Sequence, residues 1–327
     1  MHRFVELLGG PDRRKASEFV AGLAETGATP EELILELLAP AEREVGLRWQ
    51  RREWNVAQEH AATAIVESEL ALLTFDQDSP PTAGRLVVAC VEGEWHSLPA
   101  RMASELLALR GWDVTFLGPS VPADDLATHI GQLAPDAVGL SCSVPLFLKG
   151  ALRSIDACRA AGVPVMTGGA GFGPGGRYAG LLGADGWTDD PRMAPDLLGR
   201  APGTARSGQP DDEHLRLEAV RPELVAAVVD ALLAERGRRT EGRTVSELRE
   251  ALEALATSVE CACLVDDSHV VTACVPFIGR LLPTDVADST AVPDLLRRLL
   301  PGLRHHSTRA SALAEDALRS LSEEAGG

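Results

Sequence analysis

The chain has 327 residues, 45% of them hydrophobic, enough for two or three domains that each bury a core. A formal net charge of -17 argues against a nucleic-acid-binding surface, since phosphate contacts need clustered Lys and Arg. No apolar run approaches the ~18 residues that span a bilayer, and "MHRFVELLGGPDRR" lacks a signal peptide's apolar region, so the expected location is the cytoplasm. The six cysteines, Cys90, Cys142, Cys158, Cys261, Cys263 and Cys274, are scattered through apolar segments and read as reduced core residues.

Residues 1–78 are helical in pattern. A helix is expected around Ala16 to Glu25, and "TPEELILELLAPAEREVGLRW" opens with Thr29 as N-cap, Pro30 at the first helical position and Glu32 completing a capping box. Pro40 should kink or divide that helix. Asn55, with Gln58 three residues on, caps a further helix over "VAQEHAATAIVESELALL". Together these predict an up-down bundle of about four short helices.

A Pro, Ser and Gly-rich linker follows at Asp76 to Gly84, and residues 79–200 then change pattern. Short β-branched runs at Arg85–Val91, Trp112–Leu117, Ala137–Ser141, Val163–Thr167 and Gly186–Thr188 alternate with amphipathic helices. That alternation predicts parallel strands with right-handed crossovers, a doubly wound α/β sheet. A second linker runs from Gly199 to Asp212. Residues 213–327 are helical again: Pro222–Arg236, Val245 to about Ala256, an apolar stretch from Val259 through Leu282, Val292–Leu300 and Thr308–Glu324. Leu248, Leu252 and Leu255 share one helical face, with Ser246 and Glu250 on the polar side. The basic patch from Glu235 to Arg243 reads as a solvated interhelical loop.

Ligands of an open α/β sheet bind outside the carboxyl ends of its strands. There the sequence offers "EGEWHSLP" after the first strand, "LSCSVP" with Ser141 and Ser143 after the third, and "TGGAGFGPGG" with Gly168 and Gly169 after the fourth. Glycines admit close approach of backbone to a ligand, and serine hydroxyls supply hydrogen bonds at the bottom of a slot. The first turn has no GxGxxG, which argues against NAD. His96 on the first loop, with Glu94 placed to accept its other ring N–H, is the arrangement that orients a metal-ligating imidazole.

Residues 80–200 resemble the cobalamin-binding domain family, whose DxHxxG, SxL and GG motifs correspond to Glu94-Trp95-His96-Ser97-Leu98-Pro99, Ser141-Cys142-Ser143 and Gly168-Gly169. The resemblance implies a flavodoxin-like fold. It makes His96 the lower axial ligand of cobalt and Glu94 its partner, and it threads the nucleotide tail into the slot lined by the Ser and Gly motifs. Glu94 stands for the usual Asp, Pro99 for the usual Gly and Ser143 for the usual Leu. Pro99 can serve as an early helix residue.

Residues 1–78 resemble the helical cap of light-sensing adenosylcobalamin proteins of the CarH and LitR type, in which a Trp is followed after nine residues by Glu-His. Here these are Trp49, Glu59 and His60. The resemblance implies that Trp49 packs over the adenosyl group, that Glu59 contacts it, and that His60 approaches cobalt once the group is lost. Trp54 and Trp95 are expected to be packing residues. The chain as given starts at the bundle, without the helix-turn-helix segment of those repressors.

The three-part arrangement is similar to photocobilins, in which a globin-like all-α domain holds a linear tetrapyrrole such as biliverdin. For such a pigment, His269 within "LVDDSHVVTACVPF" is the candidate contact, expected to be a buried imidazole with a partner. Arg238, Arg239 and Arg243 are candidate propionate partners, and Cys261, Cys263 and Cys274 are conceivable thioether sites that read better as small buried hydrophobes. His305 and His306 should face solvent. The expectation is a non-enzymatic cytoplasmic photoreceptor, a homodimer by base rate, acting on a downstream protein without nucleic acid or membrane. The rival is a corrinoid protein for methyl transfer.

Overall fold

The computed structural model describes residues 1–10, 12–75, 80–194, 212–236, 242–283 and 290–326. The second predicted linker, apart from Asp212, and residues 76–79 of the first lie outside these, as do Arg238, Arg239 and the side chain of Arg243. None of the helices described is long and apolar enough to cross a membrane.

The N-terminal helices are α1 (His2–Leu8), α2 (Arg13–Glu25), α3 (30–50) and α4 (Val56–Thr74). Both predicted capping boxes form: Thr29 and Glu32 exchange side chain-to-backbone hydrogen bonds, as do Asn55 and Gln58. Pro40 does not divide α3. The chain widens into a π-helical stretch at Leu33–Leu38 just before it, which absorbs the missing N–H and lets the helix run on through Ala39–Gln50. Phe4, Ile34, Leu38, Val45, Val66 and Leu70 form the bundle's buried centre.

The sheet contains β1 (Gly84–Cys90), β2 (Trp112–Gly118), β3 (Ala137–Ser141), β4 (Val165–Gly168) and β5 (Gly186–Thr188), all parallel, in the order β2-β1-β3-β4-β5. This is the flavodoxin-like order, and its switch point falls between β1 and β3. Helices α5 (Leu98–Leu109), α6 (Ala123–Leu133) and α7 (Leu148–Ala160) make the crossovers. Register aligns Cys90, Ser141, Gly168 and Thr188 in one row at the carboxyl edge. Leu98, Met102 and Leu106, on one face of α5, join the bundle's core, so the helix that begins just after His96 is fixed against the bundle.

The molecule separates into two compact units. Residues 1–141, 156–168 and 186–202 form the first, with bundle and sheet; residues 142–155, 169–185 and 203–327 form the second. The second therefore takes in the segments that follow β3 and β4, including α8 (Arg177–Leu182), along with α9 (Glu213–Arg236), α10 (Gly242–Val265), α11 (His269–Leu281), α12 (Ala291–His306) and α13 (Thr308–Gly326).

Two C-terminal helices outrun the sequence pattern. Helix α9 starts nine residues before Pro222, which sits inside it. An interior proline costs about 3 kcal/mol, an expense outweighed by burial of Leu217, Leu224, Val225 and Val229. Helix α10 continues past Ala256 to Val265, because its second half is buried on every face, and it stops where Asp266 takes a left-handed φ of 56°.

Candidate functional site

The loop after β1 is held on both sides. Gly93, at φ 89°, turns the chain; its N–H donates to the Ser120 hydroxyl at 3.1 Å, and the Ser120 N–H donates to the Glu94 carbonyl at 2.8 Å. The Glu94 side chain is fully buried. One of its oxygens accepts from the His96 backbone N–H at 2.9 Å and meets the His96 Nδ1 at 2.5 Å. A carboxylate can only accept, so Nδ1 carries the hydrogen and Nε2 is the acceptor nitrogen of the ring. The His96 pKa is raised, first by the hydrogen bond to Glu94 and further by the charges of Glu94, Glu59 and Glu42, against the effect of burial. Ser97 and Leu98 lead into α5, and Pro99 occupies its first turn, where no backbone N–H is needed.

The bundle contributes a second set. Trp49 lies in the last turn of α3 and is half-buried. Glu59 and His60 lie in the first turns of α4, with His60 Nδ1 2.5 Å from a Glu59 oxygen and the His60 ring largely exposed. The Thr63 hydroxyl reaches Glu42 at 2.8 Å and the other Glu59 oxygen at 3.2 Å, so two carboxylates share one donor. Glu42 was missed by the sequence reading. Its second oxygen is inaccessible and has no hydrogen-bond partner among the described residues, and burial pushes its pKa up to about 7, with Glu59 adding to the rise. The signal was its position seven residues before Trp49, two turns along the same face of α3.

The strand ends bring Ser141 and Gly168 into the row described above. Beyond them, Gly169 has φ 101°, and a Cβ there would stand 2.3 Å from the Cys142 carbonyl oxygen. The Gly171 N–H donates to that same oxygen at 2.9 Å, so the Ser143 and Gly169 segments are tied backbone to backbone. Only glycine permits this closeness.

Two expectations need correction, those for Trp95 and His269, and those for Trp54, the cysteines, His305 and His306 hold. Trp95 is 72% exposed and packs in no core, because the Gly93 turn points it outward, whereas Trp54 is buried with the Arg48 guanidinium 5.3 Å from its ring centre. His269 is exposed rather than buried: as the first residue of α11 it lies on the solvent side of the Asp266 turn, with Nδ1 3.4 Å from the Thr272 hydroxyl. Cys261, Cys263 and Cys274 are all buried, and burial pushes the Cys261 and Cys263 thiols up to about 12. His305 and His306 are exposed and stack edge-on on each other.

Known proteins resemble this architecture. Residues 84–195 match the B12 binding domain family, and residues 1–74 match a second family of B12 binding domain. Over 139 residues the chain is 36% identical to the HTH-type transcriptional repressor CarH of Myxococcus xanthus, covering 41% of this chain and 46% of that protein. The chain thus spans slightly under half of that relative. It is 24% identical over 167 residues to the trimethylamine corrinoid protein of Methanosarcina barkeri, covering 49% and 77%. The monomethylamine corrinoid protein of Methanosarcina barkeri has the same fold, with a TM-score of 0.52 at 16% identity over 60% of this chain and 94% of that one. The buried Glu94 behind the His96 ring fits a corrinoid.

Proposed function

Because residues 1–74 and 84–195 match two families of B12 binding domain, we propose that the protein is a light sensor that holds adenosylcobalamin. One observation carries this reading: Glu94-oriented His96 and the Trp49, Glu59 and His60 set occur in one compact unit, with Glu59 near enough to His96 to raise its pKa. Bound adenosylcobalamin supplies a cobalt–carbon bond that visible light breaks.

Each residue then has a role. His96 would hold cobalt through Nε2, with Glu94 fixing the ring's orientation and basicity. Trp49 would offer an indole face to an adenosyl group, and Glu59 would accept hydrogen bonds from its hydroxyls. His60, exposed and paired with Glu59, would be able to exchange that partner for cobalt. The response is a shift between two states of the bundle biased by the ligand, with no catalytic residue required. The reading extends to a linear tetrapyrrole such as biliverdin in the C-terminal helices, held without a thioether from Cys261 or Cys263, whose thiols burial pushes up to about 12 and so away from the reactive thiolate. The signal passes to a protein partner or to a second copy of the chain.

The test is reconstitution of the full chain with adenosylcobalamin in the dark, followed by spectra and size measurement after green light. Binding with a light-dependent spectral change supports the sensor. Binding of methylcobalamin in preference, without a light response, supports methyl transfer, the reading favoured by the relationship to the amine corrinoid proteins.

A further inference from the structure

The second compact unit joins the segments after β3 and β4 to the C-terminal helices through charges buried on both sides. Lys149, at the start of α7 and 8% exposed, pairs with Glu260 of α10, which is 1% exposed. The Arg221 guanidinium of α9 donates to both Glu260 oxygens at 3.1 and 2.9 Å, completing that carboxylate's partners. The turn just before Lys149 is held by the same helices: Cys261 Sγ meets the Leu146 carbonyl oxygen at 3.4 Å, and the Phe147 and Phe277 rings meet edge-on at 6.1 Å.

The segment after Gly169 is fastened a short way along. The Tyr178 hydroxyl, on a fully buried side chain, donates to Asp267 at 2.5 Å, and Arg177 pairs with the same carboxylate. Glu260 and Asp267 are seven residues apart, at the end of α10 and just beyond it. One short stretch of the C-terminal helices thus grips both of the segments that carry Ser143 and Gly169. A buried charge that loses its partner is costly, so these contacts set loop position tightly.

We propose that Glu260 and Asp267 are positioning residues for the nucleotide tail of bound cobalamin: they hold the Ser143 and Gly169 segments in a tail-accepting arrangement, and tail binding in return steadies the end of α10. This rests on the cobalamin reading above. The reciprocity follows from linkage, since a ligand that favours one arrangement of the loops favours whatever holds that arrangement.

The full chain is titrated with hydroxocobalamin, which has the tail, and with dicyanocobinamide, which lacks it, for wild type, Glu260→Gln and Asp267→Asn. The expected result is a loss of about tenfold in hydroxocobalamin affinity with cobinamide affinity unchanged. A merely structural role would weaken both equally, and an unchanged ratio of affinities in folded variants overturns the proposal. Hydrogen exchange on the wild type removes any dependence on variants that fail to fold. Amides of 258–267 are expected to slow with hydroxocobalamin and not with cobinamide, and equal exchange overturns the proposal. A wild-type chain that binds neither compound overturns the cobalamin reading and this proposal with it, whereas binding with unaltered ratios and exchange overturns this proposal alone.

Discussion

A single oxygen of the buried Glu94 carboxylate accepts from both the backbone N–H and the Nδ1–H of His96, at 2.9 and 2.5 Å. The imidazole is thereby fixed in rotation and tautomer before any ligand arrives. If His96 ligates cobalt as proposed, replacing it with Ala is expected to change the cobalt spectrum in the dark. Glu94→Gln should keep the ring but weaken corrinoid affinity by about 10- to 100-fold, the usual effect of losing an outer partner of a ligating histidine. Unaltered axial coordination in His96→Ala would refute the site.

The bundle set predicts discrimination between upper substituents. Trp49→Ala and Glu59→Gln should lower affinity for adenosylcobalamin roughly tenfold while changing methylcobalamin binding little, because only the larger group reaches them. Calorimetric titration with both forms measures the ratio. Parallel losses for both would remove Trp49 and Glu59 from the upper face.

Glu42 predicts a pH dependence of stability in the unliganded chain. Its folded pKa of about 7 lies above the ordinary glutamate value of 4.5, so folding takes up a proton between those values. The associated stability is full below pH 4.5 and is lost as pH rises through about 7, amounting to at most roughly 3 kcal/mol. Urea denaturation of Glu42→Gln should show a flatter pH profile and greater stability than wild type at pH 8. Identical slopes would show that Glu42 ionises freely.

Gly169→Ala tests the cradle. The new methyl would meet the Cys142 carbonyl at 2.3 Å on a backbone with φ 101°, so a stability loss of about 1–3 kcal/mol is expected from conformation alone, more with the clash. Gly162, at φ 71° with open space around it, is the control that should lose only the conformational part. Equal melting temperatures for the two variants would argue against a tight cradle.

The C-terminal thiols should be inert. Cys261 and Cys263, with pKa values pushed to about 12 by burial, are expected to resist iodoacetamide in the native protein at pH 8 and to react once it is unfolded. Mass spectrometry of the alkylated chain reports the outcome, and rapid native labelling of either would reopen a thioether link to a pigment.

What the sequence determined by itself was local or periodic. Both capping boxes, at Thr29 and Asn55, need only a residue and its third neighbour, so four letters suffice. The strands were legible because β-branched runs alternate with amphipathic segments, and parallel strands then put Glu94, Ser141 and Gly168 at one edge without further assumption. The Glu94–His96 pair was legible because its members are two residues apart.

Tertiary structure decided everything that depends on partners distant in the chain. Glu42 takes its raised pKa from burial and from Glu59, 17 positions on, and a lone Glu in an amphipathic helix announces neither. Pro222 sits inside a helix because burial outweighs its local preference, and His269 and Trp95 face solvent because the turns at Asp266 and Gly93 aim them there. The grip of Glu260 on Lys149 joins residues 111 apart, a pairing set by desolvation and charge that no local pattern encodes.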